Sequence, residues 1–103
     1  MVRAVFYRKN GKFVGFRISG HTGYSERGSD IVCAAVSSAV QLSVNLLYEF
    51  KTAPKVCTGG DSVECRVGGE NDTAARILKQ LMHHFELIIE DYPKTIKINI
   101  SEV

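Results

Sequence analysis

The order and texture of the apolar residues predict an α+β fold. It is a two-layer sandwich with element order ββαββαβ and a mixed sheet, with two helices packed on one face. Three observations carry this prediction. The strand segments are half-polar, alternating apolar and polar residues, whereas a sheet covered on both faces would show continuous apolar runs. Two longer segments, residues 31–50 and a stretch reaching about Asp91, carry apolar residues at helical spacing instead. The pair Asn10-Gly11, the strongest short hairpin signal in the chain, joins the first two strand segments.

Residues 2–8 and 13–19 read as the strands of that first hairpin. A two-residue loop would pair Tyr7 with Val14, Val5 with Phe16 and Arg3 with Ile18, so the expected core face holds Val5, Val14, Phe16 and Ile18. Ala4, Phe6 and Phe13 then fall on the opposite face among Arg8 and Arg17, as an ordinary apolar minority on a solvent face or, alternatively, as a subunit interface. The first helix has apolar residues nearly all round, which predicts a central, largely buried element. One polar row interrupts it, because Cys33, Ser37, Gln41 and Asn45 recur at i, i+4. Thr52-Ala53-Pro54 closes the helix. Val56-Cys57 and residues 63–67 form a second hairpin around Gly59-Gly60-Asp61, with Val63, Cys65 and Val67 inward and Glu64 and Arg66 outward. Asn71 or Asp72 caps the second helix, whose single apolar stripe includes Ala74, Leu78, Leu81 and Phe85. The last strand, 95–100, alternates cleanly with Ile96, Ile98 and Ile100 inward.

The chain has 103 residues, which predicts one domain over 1–103. A chain of this size buries roughly 60% or more of its unfolded surface, enough for a core without staples. A net charge of +2 is too small to make nucleic acid the main partner, so no direct nucleic-acid binding is expected. Three cysteines without a C-x-x-C support neither a disulfide framework nor a zinc site, and His83 and His84 are adjacent rather than at metal-ligand spacing. No metal and no cofactor are expected. Free thiols fit a reducing, cytoplasmic compartment. The N-terminus has no signal-peptide core, and Gln41, Ser43 and Asn45 interrupt the longest apolar stretch, so no membrane association is expected.

The chemistry gathers in residues 20–41, GHTGYSERGSDIVCAAVSSAVQ. A histidine follows the second strand within a loop punctuated by Gly20, Gly23 and Gly28, and a helix then opens with Cys33 in its first turn. With Asp30 as N-cap, Cys33 stands in the positive end of the helix dipole beside amides that lack helical partners, which favours the thiolate. His21 can fold back onto the thiol as its general base and later as general acid. Asp30 is economically a cap and alternatively an orienter of His21. Ser37, one turn after Cys33, can bond back to the helix or support the site. A phosphatase of the C-x5-R kind is excluded, because Ala39 stands where the arginine would be. Cys57 and Cys65, in the second hairpin, read as structural.

Gly20-His21 followed by Asp30-Ile31-Val32-Cys33-Ala34-Ala35-Val36-Ser37 resembles the signature of the ribosomal-processing cysteine protease family (Prp, YsxB-like). The order of elements and the length fit along the whole chain. Thr22 departs from the alanine or serine usual after that histidine, beside the catalytic atoms but carrying none of them. The resemblance implies a cytoplasmic homodimer that removes a short N-terminal extension from the large-subunit ribosomal protein L-twenty-seven. Its nucleophile would be Cys33, assisted by His21, with Asp30, Ser37 and Gly20 in support and Thr22, Gly23, Tyr24 and Gly28 in the substrate loop. The alternative from another class is a noncatalytic ribosome-associated binding domain in which Cys33 is only packed.

Overall fold

The computed structural model describes residues 1–20 and 29–103, with the backbone alone for Ser29 and Asp30. The elements are β1 (Val2–Lys9), β2 (Lys12–Ser19), α1 (Ser29–Glu49), β3 (Lys55–Gly59), β4 (Ser62–Arg66), α2 (Asp72–Asp91) and β5 (Ile96–Glu102). The strands form one sheet in the order β3-β4-β2-β1-β5. β1 and β5 run parallel and every other neighbouring pair antiparallel, so the sheet is mixed. Both helices lie on the same face: α2 crosses β2 and packs beside α1, and all three contribute to one core.

Asn10 (φ 52°) and Gly11 (φ 81°) both take the left-handed conformation that a tight hairpin turn requires, and Lys9 pairs with Lys12 across them. The expected register fails two residues further on. Arg8 pairs with Phe13, but Tyr7 pairs with Gly15, leaving Val14 as the extra residue of a β-bulge. From there Phe6 faces Phe16 and Ala4 faces Ile18. The core face of β1 is therefore Val2, Ala4 and Phe6, and Val5 is only partly buried on the other side. Ala4, Phe6 and Phe13 are core, not a subunit interface. Phe6 is the hub of an aromatic cluster, with ring centroids 5.9 Å from Phe13, 6.5 Å from Phe16 and 6.1 Å from Phe85.

Helix α1 is less buried than its composition suggests. Val32, Val36, Val40, Val44 and Leu47 enter the core, while Ile31, Leu42 and Tyr48, and Phe50 just past its end, are exposed. By length and composition Ile31–Glu49 resembles a membrane span, with mean hydropathy 1.7, but here it lays one stripe on the core of the sheet. The helix starts at Ser29, which places Asp30 inside its first turn rather than at the cap. Helix α2 is capped as expected: the Asn71 side chain accepts from the Ala74 N–H at 2.9 Å. Val63, Cys65 and Val67 point inward as predicted, and so does Ile96. Ile100 lies on the inner side, beside Phe6, yet is exposed, because it borders an open hollow between β5 and the first half of α2.

Candidate active site

Antiparallel pairing of β2 with β4 sets Ile18 against Val63 and Ser19 against Ser62. This carries the β3–β4 turn to the end of β2, where Gly20 follows. The start of α1 comes down on the same spot. The result is a pocket of about 360 Å³ shared by Gly20, by Cys33, Ser37 and Gln41 of α1, and by Gly60, Asp61 and Ser62 of the turn. Its floor is apolar, made by Val2, Ile18, Val36, Val40 and Val63. A cavity of this volume with an apolar floor and a polar rim suits a substrate side chain rather than an ion.

Cys33 is half-buried where it lines the pocket. The polar row read from the sequence is real: Cys33, Ser37 and Gln41 line one side of the pocket, and Gln41 Nε2 donates to Asn45 Oδ1 at 2.8 Å. With α1 beginning at Ser29, Cys33 is the fifth helical residue, and the ladder pairs its N–H with the Ser29 carbonyl. The amides left without helical partners belong to earlier residues of α1.

Gly20 is fixed for two reasons. Its φ is +80°, and a Cβ there would stand 2.6 Å from the Met1 carbonyl oxygen. The chain leaves β2 at the pocket in a conformation and a space that only glycine fits. His21, Thr22, Gly23, Tyr24 and Gly28 lie outside the described residues, as does the side chain of Asp30. Sequence reasoning missed the contribution of Gly60, Asp61 and Ser62. Gly60 and Asp61 read correctly as part of a hairpin turn, but only the long-range pairing of β4 with β2 delivers them, with Ser62 at the start of β4, to the pocket of Cys33.

The other cysteines are remote from this pocket. Cys65 is fully buried opposite Phe16, and burial pushes its thiol pKa up to about 11. Cys57 is exposed on β3, so its expected structural role is not seen. His83 and His84 are exposed on α2. Among the described residues no three His, Cys, Asp or Glu side chains gather as a metal site.

Comparisons with known proteins bear on the fold and the family. The ribosomal processing cysteine protease Prp of Staphylococcus aureus is 31% identical over 93 residues, covering 86% of this chain and 88% of that protein. The crystal structure of Prp from S. aureus with a covalently linked product peptide superposes with a TM-score of 0.86 at 27% identity, over 98% of this chain and 100% of that one. Its complex with a substrate peptide gives 0.83 at 26% identity, with the same coverage. A protein from Streptococcus mutans shares the fold at 24% identity and a TM-score of 0.77, over 100% of this chain and 96% of that one. The family model for cysteine protease Prp matches residues 1–97, and the chain belongs to that family of cysteine proteases.

Proposed function

We propose that this chain is a cytoplasmic, homodimeric endopeptidase that removes the short N-terminal extension of the bacterial large-subunit ribosomal protein L-twenty-seven. Cys33 is the nucleophile and His21 its general base and acid. The observation that carries the reading is that Cys33 and Gly20, the residue to which His21 is joined, line one pocket although they come from different elements. The S. aureus relative is a ribosomal processing protease, and its structures hold a substrate peptide and a covalently linked product peptide. Choice of the ribosomal protein rests on that likeness and on the signature in residues 20–37.

In the proposed reaction the Cys33 thiol gives its proton to His21, and the thiolate so formed attacks the scissile carbonyl. Amides at the start of α1 receive the developing oxyanion. His21 then protonates the leaving amine, and water attacks the thioester to release the acid. The apolar pocket beside the sulfur holds a substrate side chain next to the cleaved bond, and Ser37 borders the same space one turn from the nucleophile. Asp30, in the first turn, supports the helix start, and Thr22, Gly23, Tyr24 and Gly28 contact the substrate.

The test is direct. The wild type, mixed with the ribosomal precursor protein, is expected to yield two products whose masses locate one cleavage near the precursor N-terminus. Cys33→Ala and His21→Ala are each expected to abolish cleavage while keeping the circular dichroism of the wild type. Turnover by either variant within tenfold of wild type overturns the dyad.

A further inference from the structure

The helices cover one face of the sheet, and strand register fixes what stands on the other. Lys97 lies beside Arg3 on that face, and Arg17 beside Val5 and Glu64. Arg66 lies between Gly15 and Lys55. Among the described residues the middle of this face carries Arg3, Arg17, Lys55, Arg66 and Lys97 against one carboxylate, Glu64, a local charge of +4. All five basic side chains are exposed. Glu64 is already engaged, accepting from the Tyr7 hydroxyl at 2.7 Å with Arg66 at 3.7 Å. Among the described residues no carboxylate lies within ion-pair distance of Arg3, Arg17, Lys55 or Lys97.

We propose that this uncovered face is a second binding surface, for single-stranded RNA, separate from the cysteine site. The whole-chain charge of +2 argued against nucleic acid, but segregation concentrates the field where it can act. Neighbouring and diagonal positions on a sheet are about 5–8 Å apart, a grid on which an extended phosphate backbone can be met at several points. The centre of the face also carries a stacking plane. The Arg66 guanidinium lies 4.3 Å from the Tyr7 ring centroid, and its side chain remains half exposed toward an incoming base. A bilayer would need an apolar wedge, and here only the half-buried Val5 and Tyr7 are available. An acidic protein would use the charge but not the plane. The choice of RNA over DNA rests on the ribosomal setting proposed above.

The experiment uses fluorescence anisotropy with a labelled 20-nucleotide oligouridine between 50 and 200 mM KCl. The triple variant Arg3→Ala/Arg17→Ala/Lys97→Ala is expected to bind at least tenfold more weakly than wild type. Three lost phosphate contacts should lower the slope of log affinity against log salt by about 2. Arg66→Lys keeps the charge and is expected to lose affinity severalfold at an unchanged slope. Cleavage of a short peptide substrate should stay at the wild-type rate in both variants. Wild-type affinity in both, or stronger binding to polyglutamate or to phosphatidylglycerol vesicles than to oligouridine, overturns the proposal. Equal affinity for oligothymidine of the same length overturns the assignment to RNA. RNA binding without peptide cleavage would sink the protease reading and leave this one standing.

Discussion

At Gly20 a side chain would meet two penalties, a left-handed backbone (φ +80°) and a Cβ contact of 2.6 Å with the Met1 carbonyl oxygen. Gly20→Ala should therefore cost about 1–3 kcal/mol, and because the strained atoms border the Cys33 pocket, it should also lower cleavage. A melting temperature and a turnover both within error of wild type would refute this account. Cys65 supports a second residue-scale prediction. Its folded pKa is raised to about 11 by burial, and an acid raised in this way leaves the folded state holding more protons than the unfolded one. Stability is then unaffected below the unfolded pKa near 9 and falls as pH rises from about 9 to 11. The loss should be on the order of 1–3 kcal/mol. Urea denaturation at pH 8 and pH 10.5 reads it directly. Cys65→Val removes the titrating group and should flatten that part of the profile; a variant as pH-sensitive as wild type would assign the loss elsewhere.

At the scale of elements, the sequence showed each element and the turn between β1 and β2, because Asn10-Gly11 and the apolar periods are local signals. It did not show the bulge at Val14. A single extra residue moved Phe6 from the expected solvent side to the centre of the core, since side chains on a strand alternate with a period of two. Nothing local announces such an insertion; it is favoured because Phe6 then meets Phe13 and Phe16 of β2 and Phe85 of α2. Helix α1 was misread for a related reason. Its apolar residues serve separate surfaces, one stripe in the core and another along α2, while the polar row at Cys33 borders the pocket on the other side. Periodicity counts apolar residues and cannot say which neighbour each will meet. The candidate nucleophile, Cys33, was legible because Gly20, His21 and Cys33 share one short stretch. The Asp61 turn was not, because a distant strand pairing brings it in.

At the scale of the molecule, the groove between α1 and α2 bears on the proposed homodimer. It measures about 610 Å³ and is lined by apolar residues including Leu42, Leu46, Ile77 and Leu87. Leu42 is 60% exposed and Leu87 45%, so large apolar side chains stand in solvent on both of its banks. Contiguous apolar surface of this kind is uncommon on a monomer and usually marks a contact. A two-fold axis near the groove would let the α1 ridge of each copy pack between the helices of the other, as a self-complementary interface requires. A stable interface needs about 800 Å² from each partner, so the groove would form its centre and the polar residues around it, such as Arg76 and His83, its rim. Placing one carboxylate at the centre leaves a buried charge in each half of the interface, which is strongly unfavourable. Leu42→Glu should therefore convert a dimer to a monomer in light scattering at micromolar concentration, with unchanged circular dichroism because the side chain is exposed within the subunit. A variant that keeps the wild-type dimer mass would move the interface elsewhere, and a wild type with the mass of one chain would remove the dimer altogether.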